Sequence, residues 1–166
     1  MKIISKSLEE TQKFAHDFLV EFNAGTKSHL ATQKTTSHHL QLVATVLLLQ
    51  GDLGSGKTTF TQVLARELGV KENLTSPTFV LMKSYKISPM ATERLSLSVK
   101  NLVHIDAYRL TSGADLRNLG WGELIKNPDN LIIVEWPELV ADLWDGSELK
   151  INFKFVDDQT REMSYT

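Results

Sequence analysis

The sequence predicts an α/β fold of the P-loop NTPase-like kind: a mostly parallel central sheet flanked by helices, with a C-terminal β-hairpin. Three observations predict it. Apolar runs suited to strands buried on both faces alternate with stretches of helical period. The stretch "GDLGSGKTTF", Gly51 to Phe60, sits between one such run and one such helix. Two further apolar runs, "LVHID" and "LIIVE", each end in a carboxylate. The 166 residues suit one domain over 1–166 with a single sizeable core.

Each element has its own signal. "SLEE", Ser7 to Glu10, is a capping box that starts a helix. Phe14, Phe18, Leu19 and Phe22 follow at helical spacing, and Gly25 can end it. Thr26 to Gln41 is polar and aperiodic and reads as a peripheral loop. Val43 to Leu49 is apolar apart from Thr45, as a buried parallel strand would be. After Gly56, Phe60, Val63, Leu64 and Leu68 mark a second helix, stopped by Gly69. "TSPTFVLMKSYKI" reads as a strand entered through a proline turn, and Ser88 to Ser98 as a second loop. Between the two carboxylate-ended runs, "GADLRNLGWGELIKNPDN" suits one or two short helices. "LKINFKFVDDQTREMSYT" alternates and turns near Asp157–Asp158, which gives the terminal hairpin.

Composition narrows the function. The chain carries 18 basic and 20 acidic residues, net −2, without the broad basic footprint of a protein that grips nucleic acid unaided. It has no cysteine, which excludes disulfides, thiolate zinc sites and cysteine nucleophiles. "MKIISKSLEE" lacks the apolar core of a signal peptide, and no apolar run approaches the ~20 residues of a membrane span. A cytoplasmic protein with no membrane role is the expectation. The five histidines, among them His29, His38 and His39 in the polar loop, read as solvated residues rather than metal ligands.

Gly51, Gly56, Lys57 and Thr58 satisfy G-x-x-x-x-G-K-[ST]. A loop that wraps an anion with inward-facing amides needs dihedrals that glycine tolerates, and Gly51, Gly54 and Gly56 supply them. The helix starting near Lys57 adds the positive end of its dipole. Lys57 can reach the outer phosphates, and the Thr58 hydroxyl can ligate the accompanying magnesium. The bland alternative is a glycine-rich turn between a strand and a helix, but four fixed positions with the right flanks argue against chance. The motif does not specify the reaction.

A phosphate loop needs a carboxylate for Mg²⁺, usually at the end of a neighbouring buried strand. Asp106 and Glu135 both qualify. One can hold the metal or a metal-bound water while the other orients the attacking water. Alternatively, each caps a strand or pairs with a base such as Arg109. Thr78, in "SPTF", stands where nucleotide switches sense a terminal phosphate, although by spacing alone it is more often a turn residue. Trp136, next to Glu135, reads first as packing.

"GDLGSGKTTF", "TSPTF", "HIDAYRL" and "EWPE", in that order on a short chain, resemble the TsaE family, also called YjeE. These are small bacterial ATPases needed to make threonylcarbamoyladenosine next to the anticodon of tRNAs that read codons starting with A. The resemblance spans nearly the whole chain, from "SLEET" to Arg161. It implies that Gly51, Asp52, Leu53, Gly54, Ser55, Gly56, Lys57, Thr58 and Thr59 cradle ATP or ADP, with Lys57 on the outer phosphates. Thr58 and Glu135 would sit on Mg²⁺, with Asp106 the second essential carboxylate and a further candidate ligand. Thr78 would be the switch-like residue. Trp136 would lie close to the nucleotide, and Thr11 and the Arg161 region would edge the nucleoside pocket. The implied activity is a weak Mg²⁺-dependent ATPase, stimulated by partners, that acts on the TsaB–TsaD heterodimer and resets it between turnovers. Such a protein meets tRNA only indirectly and does not perform the transfer. The loops at Thr26 to Gln41 and Ser88 to Ser98 are longer than the family pattern. A competing reading is a small-molecule P-loop kinase. A kinase wants arginines in a closing lid, and these loops carry only Arg94. A nucleotide-binding module without hydrolysis is a third reading.

Overall fold

The apolar run that ends at the glycine-rich loop is strand β2, Thr45–Gly51, in a computed structural model that describes residues 2–32, 43–77 and 80–165, with 23–32 described by backbone alone. The other strands are β1 (Lys2–Ser5), β3 (Met82–Lys86), β4 (Asn101–Asp106), β5 (Asn130–Glu135), β6 (Leu149–Phe155) and β7 (Arg161–Tyr165). The helices are α1 (Leu8–Thr32), α2 (Lys57–Glu67), α3 (Pro89–Arg94), α4 (Gly113–Asn118) and α5 (Trp121–Ile125), with 3₁₀ turns at Ala107–Arg109 and Pro137–Leu143. The described strands form one sheet in the order β1-β7-β6-β2-β5-β4-β3. β6, β2, β5 and β4 are mutually parallel, and β3, β7 and β1 add antiparallel at the edges.

Helices cover both faces, which is why the central strands are apolar without alternation. Leu47 and Leu49 of β2 pack with Phe14, Phe18, Phe60 and Leu64 beneath α1 and α2. Val46 and Leu48 face the other way, toward Val134, Leu116 and Trp121. All four parallel strands therefore present their carboxyl ends along one rim, where ligands of open α/β sheets bind.

The α/β class, the parallel centre and the hairpin agree with the sequence reading, and four details differ. The first helix does not stop at Gly25 but runs to Thr32, so the first part of the expected 26–41 loop is helical; residues 33–42 lie outside the described residues. A lone glycine costs a helix only about 1 kcal/mol relative to alanine, which its packed N-terminal half can offset. The expected loop at 88–98 contains α3, with Ser88 at the N-cap and Pro89 in the first turn. The terminal hairpin gains a third strand, because β1 pairs with β7 from Lys2↔Ser164 to Ser5↔Arg161. In the capping box, Ser7 Oγ accepts from the Glu10 amide at 3.2 Å, but the Glu10 carboxylate takes the Lys6 amide rather than that of Ser7.

Tyr165 ties this antiparallel wing to α1. Its hydroxyl donates to the Glu21 carboxylate, and its ring lies 5.3 Å from that of Phe18 and 5.8 Å from that of Phe14. Burial first, and then the Glu21 carboxylate, push the Tyr165 pKa up. Above pH ~10 the unfolded chain releases this proton while the folded chain keeps it, so stability falls as pH rises. In Tyr165→Phe that alkaline fall is expected to become shallower in denaturant melts, with Tyr85, also pushed up by burial, supplying the remainder. An unchanged slope would contradict this role.

Candidate nucleotide site

β2 delivers the chain to Gly51, where φ is +149° and a Cβ would meet the Phe153 carbonyl oxygen at 2.2 Å. No other residue fits there without moving β6. The loop closes at Gly56, the N-cap of α2, whose φ of 102° also favours glycine. No described side chain caps this helix start, and the first intrahelical bond runs from Phe60 N to Gly56 O at 2.9 Å. The preceding amides of the first turn thus have no acceptor within the helix. Uncapped amides at the start of an eleven-residue helix make a seat for an anion.

Lys57 crosses the loop from within. Its Nζ donates to the carbonyls of Gly51 at 2.6 Å and Asp52 at 2.9 Å, and lies 3.8 Å from the centroid of the Trp136 ring. Burial pushes its pKa down, while Glu135, Glu138, Asp106 and Asp52 pull it the other way. Trp136 holds a left-handed backbone with φ of 59°, a conformation that costs a non-glycine residue about 1–3 kcal/mol. Its ring rests against Tyr108 at 5.2 Å.

The two carboxylates are direct neighbours. β4 and β5 run parallel in a register that pairs Asp106 with Glu135, both nearly fully buried. Thr58 Oγ1 donates to Glu135 Oε2 at 2.8 Å. His104 Nε2 lies 2.7 Å from the other oxygen, Glu135 Oε1. Asp106 Oδ2 accepts from Ser76 Oγ at 2.7 Å and its Oδ1 from the Tyr108 amide at 3.1 Å. Thr58 and Glu135 are hard oxygen donors. Adjacent ligands of an octahedral Mg²⁺ at 2.0–2.1 Å stand about 2.9 Å apart, so this pair fits two neighbouring positions of such an ion.

Thr11 and Arg161 stand on the antiparallel side. Thr11 Oγ1 lies 2.8 Å from Ser5 Oγ and donates to Ser7 O at 3.2 Å. Arg161 Nε donates to Gly54 O at 3.0 Å, and its guanidinium lies 4.5 Å from the Phe155 ring centroid. The hairpin therefore clasps the tip of the loop. A cavity of about 740 Å³ joins these parts, within the usual range for a small-molecule site. Leu53, Gly54, Ser55, Gly56, Lys57, Thr58, Thr59, Thr11, Asp106, Glu135, Trp136 and Arg161 all line it. Gly51 and Asp52 stand behind it, as the acceptors of the Lys57 ammonium. Thr78 lies outside the described residues.

The reading of the histidines needs correcting at His104, which is 0% exposed and bonded to Glu135. The alternation of β4 held the signal, since His104 stands two residues before Asp106 and shares its face. His16 is partly exposed, with Nδ1 3.2 Å from Glu67 Oε2. Sequence reasoning also passed over Ser76 and Tyr108, which hold and flank Asp106 and Trp136.

Residues 5–163 match the model of the family described as "Threonylcarbamoyl adenosine biosynthesis protein TsaE". The chain belongs to the TsaE family. The match spans every site residue from Thr11 to Arg161. Curated TsaE proteins agree. That of Rickettsia typhi (strain ATCC VR-144 / Wilmington), named tRNA threonylcarbamoyladenosine biosynthesis protein TsaE, is 32% identical over 139 residues, covering 80% of this chain and 88% of its own. The TsaE of Bacillus subtilis (strain 168) is 35% identical over 121 residues, 73% of this chain and 68% of its own. The TsaE of Rickettsia bellii (strain RML369-C) is 32% identical over 164 residues, 98% of this chain and 92% of its own. Among solved structures, the crystal structure of Bacillus subtilis YdiB superposes with a TM-score of 0.62 at 28% identity, covering 99% of this chain and 83% of that one. Among the described residues of this TsaE-family chain, no helix is long and apolar enough to cross a membrane.

Proposed function

We propose that this chain is an ATP-binding and ATP-hydrolysing accessory protein for the threonylcarbamoyladenosine modification of tRNA, folded as one domain over 1–166 and working in the cytoplasm. The observation that carries the reading is convergence. The uncapped start of α2, Lys57, Thr58, Asp106 and Glu135 arrive from three neighbouring strands at one cleft.

The loop amides of residues 51–59 bind the inner phosphates, and Lys57 exchanges its two carbonyl partners for the more strongly accepting outer phosphate oxygens. Thr58 and Glu135 would hold Mg²⁺, which when bound would neutralise charge on the outer phosphates. Asp106, held by Ser76 and the Tyr108 amide, orients the attacking water. That water attacks the terminal phosphorus, the bond to the bridging oxygen breaks, and ADP and phosphate leave. Thr78 is the residue that senses the terminal phosphate. Thr11, Arg161 and Trp136 bound the nucleoside end. With a net charge of −2, the chain meets tRNA through its partners, the TsaB–TsaD heterodimer, and resets that pair without carrying the transfer itself.

Phosphate release, measured with no other acceptor present, tests this. Slow release with Mg²⁺-ATP alone and faster release with TsaB–TsaD is expected. Release that appears only when a small-molecule acceptor is supplied would favour a kinase and contradict the reading.

A further inference from the structure

We propose that His104 is a positioning residue that fixes the Glu135 carboxylate for its metal role; this rests on the reading of the cleft as a Mg²⁺–nucleotide site. The sheet register explains how it can. His104 opposes Ile133 and Asp106 opposes Glu135, so His104 lies diagonally beneath Glu135 on the face that carries α2. The carboxylate is then held at both ends, Oε1 by His104 Nε2 at 2.7 Å and Oε2 by Thr58 Oγ1 at 2.8 Å. A glutamate side chain has three rotatable bonds. Thr58 alone would tether it through a group that itself belongs on the metal. The histidine fixes the plane of the carboxylate from behind and leaves Oε2 facing the cleft.

The choice of residue is informative. His104 is 0% exposed in a strand whose other interior positions, Leu102, Val103 and Ile105, are apolar. Its Nδ1 is buried without a hydrogen-bond partner among the described residues. A buried group left unsatisfied lowers stability, so packing alone would favour an aliphatic side chain here. The bond to Glu135 accounts for the imidazole. It also sets the tautomer. An ionised carboxylate only accepts, so in this contact the proton lies on Nε2. Partners that orient a metal ligand from behind typically contribute 10–100-fold in metal affinity.

Two measurements on the full chain test this. In ¹⁵N spectra of the free protein, the His104 signals, assigned by their loss in His104→Gln, should show a proton on Nε2. ADP binding is then titrated with Mg²⁺ and with chelator in wild type, His104→Gln and His104→Asn. The glutamine amide can reach the place of Nε2; the asparagine amide reaches only that of Nδ1. His104→Asn is expected to need about tenfold more Mg²⁺ for the same tightening of ADP binding. Its metal-free ADP affinity should be unchanged, and His104→Gln should restore most of the Mg²⁺ response. Equal loss of metal-free and metal-bound affinity in His104→Asn, or failure of glutamine to restore, would overturn the positioning role. An Nδ1–H tautomer would overturn the contact itself, whatever the ligand. Wild-type ADP binding that ignores Mg²⁺ would overturn the metal reading, and with it the metal role of His104.

Discussion

Lys57→Ala is expected to weaken ATP and ADP binding by about ten- to a hundred-fold, since a hydrogen bond to a charged group contributes about 1.5–3 kcal/mol. In the free cleft the ammonium is partly desolvated, and its present acceptors are two neutral carbonyls. Phosphate oxygens would replace them with full negative charge. The fold should persist, because the burial of an ammonium works against stability and is relieved in the variant. Calorimetric titration alongside a thermal melt separates the two effects. Unchanged affinity in a folded variant would remove the phosphate-loop assignment.

Glu135→Gln should lower Mg²⁺-dependent turnover by about a hundred-fold or more, while leaving metal-free ADP affinity nearly intact. In the proposed site the inner phosphates would be held by loop amides, which the substitution does not touch. The amide would replace one oxygen of the proposed metal-binding pair, which Thr58 Oγ1 bonds at 2.8 Å. Asp106→Asn is expected to follow the same pattern through the attacking water, since Ser76 already donates to its Oδ2. Turnover and ADP affinity measured on each variant decide the matter; a parallel loss of both would mean that the carboxylates shape the loop rather than the chemistry.

How much of this was legible in the sequence depended on how local each signal was. The glycine-rich loop was readable because its dihedrals demand glycine at fixed positions, as the clash of a Cβ at Gly51 with Phe153 O illustrates. Asp106 and Glu135 were readable because both end apolar runs, but that they face each other follows only from the β4–β5 register. β1 was missed because it is a four-residue edge strand whose partner, β7, lies at the other end of the chain. The length of α1 was misjudged because Gly25 reads as a stop, whereas the packing of Phe14, Phe18 and Phe22 is tertiary. α3 did carry a local signal, a serine followed by proline, inside a stretch read as loop. His104 was passed over because composition treats a histidine as solvated, while its bond to Glu135 belongs to the fold. The clasp of Arg161 on Gly54 was likewise invisible, since it joins residues 107 positions apart.

The most direct test of the central claim is a crystal structure of the chain with Mg²⁺ and ADP. The phosphates are expected in the loop from Gly51 to Thr59, the ion on Thr58 and Glu135, and the Lys57 ammonium turned from the Gly51 and Asp52 carbonyls to phosphate oxygen. Nucleotide bound elsewhere on the molecule, or a loop that stays empty at saturating Mg²⁺-ADP, would contradict it.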